Sequence, residues 1–208
     1  MLNIAIDDSN TFYRYGLEKL LEHVFSLGND EPVIFEALSM ANATKADVIV
    51  KNFVAGEAFI CHPMLKFRVK PGLLIGLYEG NKSPWHTELP LCIKNILFIN
   101  RNEMLSVVYD KIIEAWQEKI IDSKELKCKK CLKCRYRSLT SQQSVIARHI
   151  LHGNDIIEIA SSLEINVKTV SAHKRLMMKK FNLDSDCELV QFLNNLRTHN
   201  PPVHLFAS

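Results

Sequence analysis

Two groups of residues in this chain have types and spacings that suit chemistry. Cys128, Cys131 and Cys134 follow one another at intervals of three. Cys-x2-Cys is a usual half of a zinc site, because two thiolates at that spacing reach one tetrahedral ion. A closed site needs a fourth ligand, and no partner CxxC or HxxxH is present; His149, His152 or a second subunit are the candidates. Flanking lysines lower thiol pKa values, which suits a redox response instead. The plain alternative is a flexible basic tether whose thiols stay reduced.

The second group lies in "NVKTVSAHKRLMMKKF", Asn166 to Phe181. Val170, Met177 and Phe181 recur at the spacing of a buried helical stripe. Lys168, Thr169, Ser171, Ala172, Lys174, Arg175 and Lys179 are basic or small. A small, basic helix face suits a polyanionic partner. His173 stands near the apolar seam and reads as a packing or cap residue.

These groups need elements to hold them. The chain has 208 residues, enough for one large or two small domains with cores of their own. Its 47% hydrophobic and 24% charged residues are ordinary globular values. No apolar run is long enough to span a membrane, and "MLNIAIDDSN" lacks the basic start of a signal peptide. The expectation is a cytoplasmic chain with no membrane contact, in which cysteines serve as thiols or metal ligands rather than disulfides. Residues 1–120 hold 12 Lys/Arg against 15 Asp/Glu, a net of −3, and residues 121–208 hold 14 against 8, a net of +6. A basic back half points to a polyanionic partner. Nucleophile–base pairs and phosphate-cradling glycine loops are missing from the sequence, and glycine totals seven, so an enzyme is not expected.

The front half alternates short apolar runs with amphipathic stretches. "LNIAI", "PVIFEA", "DVIVK", "GLLIGLY" and "NILFIN" are five candidate strands, with the near-continuous apolar character of a parallel sheet covered on both faces. "TFYRYGLEKLLEHVF" and "EMLSVVYDKIIEAWQEK" are candidate helices after the first and fifth. This alternation predicts an α/β doubly wound sheet whose functional edge lies at the strand C-termini. The opening "IAIDDSNTFYRYGLEKLL" resembles a response-regulator receiver domain. The resemblance implies an acidic pair that binds Mg²⁺, an aspartate that accepts a phosphoryl group and a lysine after the fifth strand. Here the acidic pair falls on Asp8 and Ser9, with Asp7 one place early; the acceptor position is Asn52; and the lysine position falls at Asn100 or Arg101. A neutral amide cannot form an acyl phosphate. Three departures together imply a degenerate receiver, with Asp7 and Asp8 left as a solvated strand end.

"DSKELKCKKCLKCRYRS" separates the halves, with seven Lys/Arg and no hydrophobic periodicity. Beyond it, four short helices follow from their caps. Thr140-x-x-Gln143 opens the first and Gly153 ends it; Asp155-x-x-Glu158 opens the second; Asn166 caps the third; Ser185-x-x-Glu188 opens the fourth. The second and third are joined by "LEIN", a helix-turn-helix arrangement. The segment resembles the LuxR/NarL/FixJ helix-turn-helix over "LT" at 139–140, "ILHGN" at 150–154, "EIASSL" at 158–163 and "VKTVSAHKRLMMKKF". The resemblance makes Ser171, Ala172 and Arg175 base-edge readers. Lys168, Thr169, Lys174 and Lys179 are then phosphate contacts, which give affinity without sequence information. In "CELVQFLNNL", Leu189, Val190, Leu193 and Leu196 exceed what the short domain is expected to bury, and part is expected at a dimer seam.

The expected organisation is thus a pseudo-receiver at 1–119, a basic cysteine-bearing linker at 120–137, a small all-α four-helix LuxR-type domain at 138–198 and a tail at 199–208. "VKTVSAHK" beside a degenerate receiver is similar to the auxiliary enterobacterial regulators of capsule and fimbrial genes. That likeness implies a phosphorylation-independent transcription factor on double-stranded DNA, as a homodimer or as a heterodimer with a LuxR-type response regulator. No cofactor is expected beyond zinc at the linker cysteines. The rival from another class is an interaction module that sequesters a DNA-binding partner; a third reading makes the front half a ligand sensor.

Overall fold

The computed structural model describes residues 1–26, 32–66, 68, 72–80, 89–93, 96–121 and 136–199. The chain divides into two compact units. The first takes Met1–Phe53, His62–Thr87 and Leu91–Cys134; the second takes Val54–Cys61, Glu88–Pro90 and Arg135–Ser208.

In the first unit the five apolar runs become strands: β1 (Leu2–Asp7), β2 (Val33–Ala37), β3 (Val48–Phe53), β4 (Leu73–Tyr78) and β5 (Ile96–Asn100). They form one parallel sheet in the order β2-β1-β3-β4-β5. A parallel sheet hides both faces, which is why β3 and β4 are buried along almost their whole length and are apolar apart from Lys51 and Asn52. Helices α1 (Thr11–Ser26) and α3 (Leu105–Ile121) stand where the amphipathic stretches predict them. Leu17, Leu21, Val24 and Phe25 of α1 join Val108 and Ile112 of α3 against Ile4, Ile6, Val50 and Ile75 of the sheet. Each such side chain, fully buried, contributes about 1.5–3 kcal/mol of transfer free energy. Asn10 caps α1, its Oδ1 accepting the Tyr13 N–H at 3.1 Å. Between β3 and β4 the described helix of this unit is a single turn, α2 (Pro63–Lys66). The strand order reverses between β1 and β3, the switch point at which ligands of doubly wound sheets bind. Register there sets Asp7 beside Lys51, one residue before Asn52.

The second unit is helical: α4 (Ser141–Leu151), α5 (Ile156–Ser162), α6 (Val167–Phe181) and α7 (Asp186–His199). The two predicted capping boxes on α4 and α5 are complete. Thr140 accepts the Gln143 N–H while Gln143 bonds back, and Asp155 does the same with Glu158. The box on α7 differs: Ser185 Oγ accepts the Glu188 N–H at 3.1 Å, but Glu188 reaches back to Asp184 N–H at 2.7 Å. Gly153, at φ 85°, follows α4 in the left-handed region that a side chain disfavours. Ile146, Ile159, Val170, Met177, Phe181, Leu189, Phe192, Leu193 and Leu196 form the core. Phe59 and Ile60 of the Val54–Cys61 segment belong to the same core. Arg137 donates its backbone N–H to Phe59 O at 2.8 Å, and its guanidinium lies 3.9 Å above the Phe59 ring. Gly56 permits this packing: at φ 80°, an added Cβ would sit 3.0 Å from both Leu183 and Phe192.

Candidate nucleic-acid interface

Asn166 starts α6 by accepting the Lys168 N–H at 2.8 Å. The preceding turn is tight because Glu164 takes φ 53° and Ile165 N–H reaches Ala160 O at 3.0 Å. Asn182 ends the helix at φ 56°, with Leu183 N–H returning to Met178 O at 2.8 Å. The helix is thereby pinned at both termini. Val170, Met177 and Phe181 are fully buried, as their spacing predicts, and Phe181 packs 4.4 Å from the Phe192 ring.

Opposite that stripe, Lys168, Ala172, Arg175 and Lys179 fall at i, i+4, i+7 and i+11 and are all exposed. Thr169 is exposed and Ser171 half-buried on the flanks. Lys168, Arg175 and Lys179 form no ion pair among the described residues. Lys174 differs, since its ammonium sits 2.6 Å from the Asp186 carboxylate of α7. His173 is half-buried, its Nδ1 without a hydrogen-bond partner among the described residues. Sequence reasoning passed over Leu176, which lies on the flank of the basic stripe with 54% exposure. An exposed leucine among lysines breaks the helix's amphipathic pattern, and that break was the available signal. On α7, Leu189, Leu193 and Leu196 are consumed by the unit's own core, and Val190 is the member of the expected seam left exposed.

The sheet edge of the first unit brings Asp7, Asp8, Asn52 and Arg101 to the C-terminal ends of β1, β3 and β5. The expectation of a solvated strand end does not hold for Asp8, whose side chain is fully enclosed. One Asp8 oxygen accepts the Asn10 N–H at 2.8 Å, and the other is paired with the Arg101 guanidinium. Arg101 also lies 4.2 Å above the Tyr13 ring and 3.5 Å from Glu79. Burial pushes the Tyr13 phenol above its ordinary pKa, against the opposing pull of Arg101. Lys51, almost completely buried, places its ammonium 3.1 Å from Asp7 and 3.4 Å from Asn52 O. Of the two positions where the receiver resemblance places a lysine, Arg101 reaches Asp8, and Asn100 turns instead to Gly80 O at 2.7 Å. Burial of Glu103 favours its neutral form, but the Lys111 hydrogen bond and the Asn100 N–H outweigh it and hold the carboxyl below its usual range. Lys51 carried no sequence signal, because a lysine inside an apolar strand reads as an interruption.

Cys128, Cys131 and Cys134 lie outside the described residues. Among the described residues, no cluster of three or more His, Cys, Asp or Glu side chains has metal-binding geometry. No helix there is long and apolar enough to cross a membrane.

A small helical unit with a pinned helix-turn-helix is preceded in the chain by a five-stranded parallel α/β unit. Residues 137–193 match the family of bacterial regulatory proteins called luxR, and this segment is a LuxR-type helix-turn-helix domain. Among solved structures, the chain is similar to the two-component response regulator RcsB in its DNA complex, with 19% identity, TM-score 0.55, and coverage of 94% of this chain and 98% of that one. It is also similar to RcsB from Salmonella enterica serovar Typhimurium bound to the promoter rprA with a phosphomimetic, with 18% identity, TM-score 0.53, and coverage of 94% and 100%. At these identities the likeness establishes the fold. No curated protein matches the chain by sequence.

Proposed function

We propose that this chain is a sequence-specific DNA-binding transcriptional regulator that acts without phosphorylation, as a homodimer or with a partner LuxR-type response regulator, in the cytoplasm. The observation that carries the reading is α6 itself: a fully buried Val170–Met177–Phe181 stripe opposite an exposed Lys168–Ala172–Arg175–Lys179 stripe, inside a luxR-type domain. Arg175, with Ser171 and Ala172, reads base edges; Arg175 suits a bidentate contact to guanine, worth about 1–3 kcal/mol of discrimination. Lys168, Thr169 and Lys179 contact phosphates. Lys174 joins them by exchanging Asp186 for a phosphate. DNA binding and dimers are also what the RcsB complexes display for that protein. By resemblance, the targets are genes for capsule, fimbriae or similar surface structures. The chain carries no resident cofactor in this reading, and its linker is a basic tether. Metal-free protein should then bind DNA fully, whereas near-stoichiometric zinc, released with proton uptake on acidification, would make Cys128, Cys131 and Cys134 a metal site.

The test is a binding selection on random DNA followed by titrations of two variants. Arg175→Ala should lower affinity for the selected site and flatten discrimination by about 1–3 kcal/mol. Lys179→Ala should weaken all sequences alike and reduce the salt slope by about one unit. Selection of no sequence, or an Arg175→Ala variant as selective as the parent, would favour the sequestering module instead.

A further inference from the structure

The switch-point edge of the sheet is where a receiver would hold a divalent cation, and the residues present do not fit one. Mg²⁺ requires near-octahedral oxygen ligands at short range and dehydrates reluctantly, so its carboxylates must have lone pairs to give. Asp8 has both oxygens engaged, one by the Asn10 N–H and one by Arg101. Asp7 faces the Lys51 ammonium at 3.1 Å. Asn52, the third position of the edge, offers a neutral amide and follows Lys51 directly in β3.

We infer that Lys51 and Arg101 are resident counter-ions that take over the charge role of the metal. Both belong to the fold rather than to the solvent. Lys51 is held inside β3 with its ammonium 5.3 Å from the Phe53 ring centre, and Arg101 is enclosed between Asp8, Glu79 and the Tyr13 ring. A tethered cation carries no entropy of capture and cannot be removed by a chelator. The edge therefore keeps one electrostatic state whatever the metal or phosphodonor concentration. Lys51 and Arg101 depend on the two carboxylates in turn, because a buried cation stripped of its partner is strongly destabilising.

Removing the resident cations should uncover a latent cation site. The full chain is melted in metal-free buffer with MgCl₂ or with NaCl at matched ionic strength. The parent protein should show no Mg²⁺-specific shift in Tm. Arg101→Gln should melt lower and gain a saturable Mg²⁺-dependent rise in Tm, and the Lys51→Gln/Arg101→Gln double variant should gain a larger one. Where a variant is unfolded without metal, the same titration reads the return of a cooperative melt. A saturable Mg²⁺ shift in the parent would overturn the inference. So would variants whose melting, or failure to fold, is indifferent to Mg²⁺.

Discussion

The sheet edge of the first unit and α6 of the second treat charge in opposite ways. At the edge, Asp8 is enclosed against Arg101 and Asp7 meets Lys51, so each charge is answered inside the fold. On α6, Lys168, Arg175 and Lys179 stand in solvent on a helix whose opposite face is completely buried. An answered charge is set once, by folding. An unanswered row of cations is kept at a cost in self-repulsion, and it is useful where a polyanion meets it. The contrast separates a unit whose edge charges are paired from one whose helix face is left open.

The largest effect expected is on what holds that surface. Phe181→Ala removes a fully buried ring packed on Phe192 and should destabilise the helical unit by about 3–5 kcal/mol. Thermal unfolding followed by circular dichroism should show an earlier helical transition, with DNA binding lost in parallel. A variant that still binds with full affinity would detach the buried stripe from the exposed one. Asp155→Ala removes the acceptor of the Ile157 and Glu158 N–H groups at the start of α5, each at 2.8 Å. A loss of about 1 kcal/mol in denaturant unfolding is expected, with the basic face of α6 unaltered.

Leu176 sharpens the comparison at the open face itself. An apolar side chain beside Arg175 suits the methyl of thymine. Replacing thymine by uracil at that position of the selected site should weaken binding by the worth of one buried methyl, about 0.8 kcal/mol. In Leu176→Ala the same replacement should have no effect; equal sensitivity in both proteins would remove Leu176 from the reading face. Smallest is a pH effect in the first unit. The folded pKa of Glu103 lies below its unfolded value, so its contribution is present above the unfolded value and fades as pH falls through the folded one. Glu103→Gln should abolish that part of the acid dependence of Tm, and an unchanged profile would show that Lys111 contributes nothing there.

Much of this architecture is legible in the residues. All five strands and the four helices of the second unit follow from apolar runs and caps, because parallel strands are buried on both faces and short helices need their N-termini satisfied. The α6 stripe is equally plain, since 3.6-residue periodicity is a property of sequence. The relations across long separations are not legible. Lys51 with Asp7 and Arg101 with Asp8 join residues 44 and 93 positions apart; the β1–β3 register sets the first pair, and the second joins the segments that follow β1 and β5. The Val54–Cys61 segment is apolar enough to pass for part of the α/β core, yet Phe59 and Ile60 pack with the helical unit. The α7 leucines show the converse: sequence suggests a surplus, because it hides how much of the core Phe181, Phe192 and Phe59 complete.

The central claim is that the DNA-binding face operates without phosphoryl chemistry at the sheet edge. Its most direct test is to incubate the full chain with acetyl phosphate and Mg²⁺, then measure intact mass and affinity for the selected site against an untreated control. Both should be unchanged, because Asn52 offers no carboxylate and Asp8 is held by Arg101. A base-labile phosphoryl adduct on Asp7 or Asp8, accompanied by a change in affinity, would contradict the account.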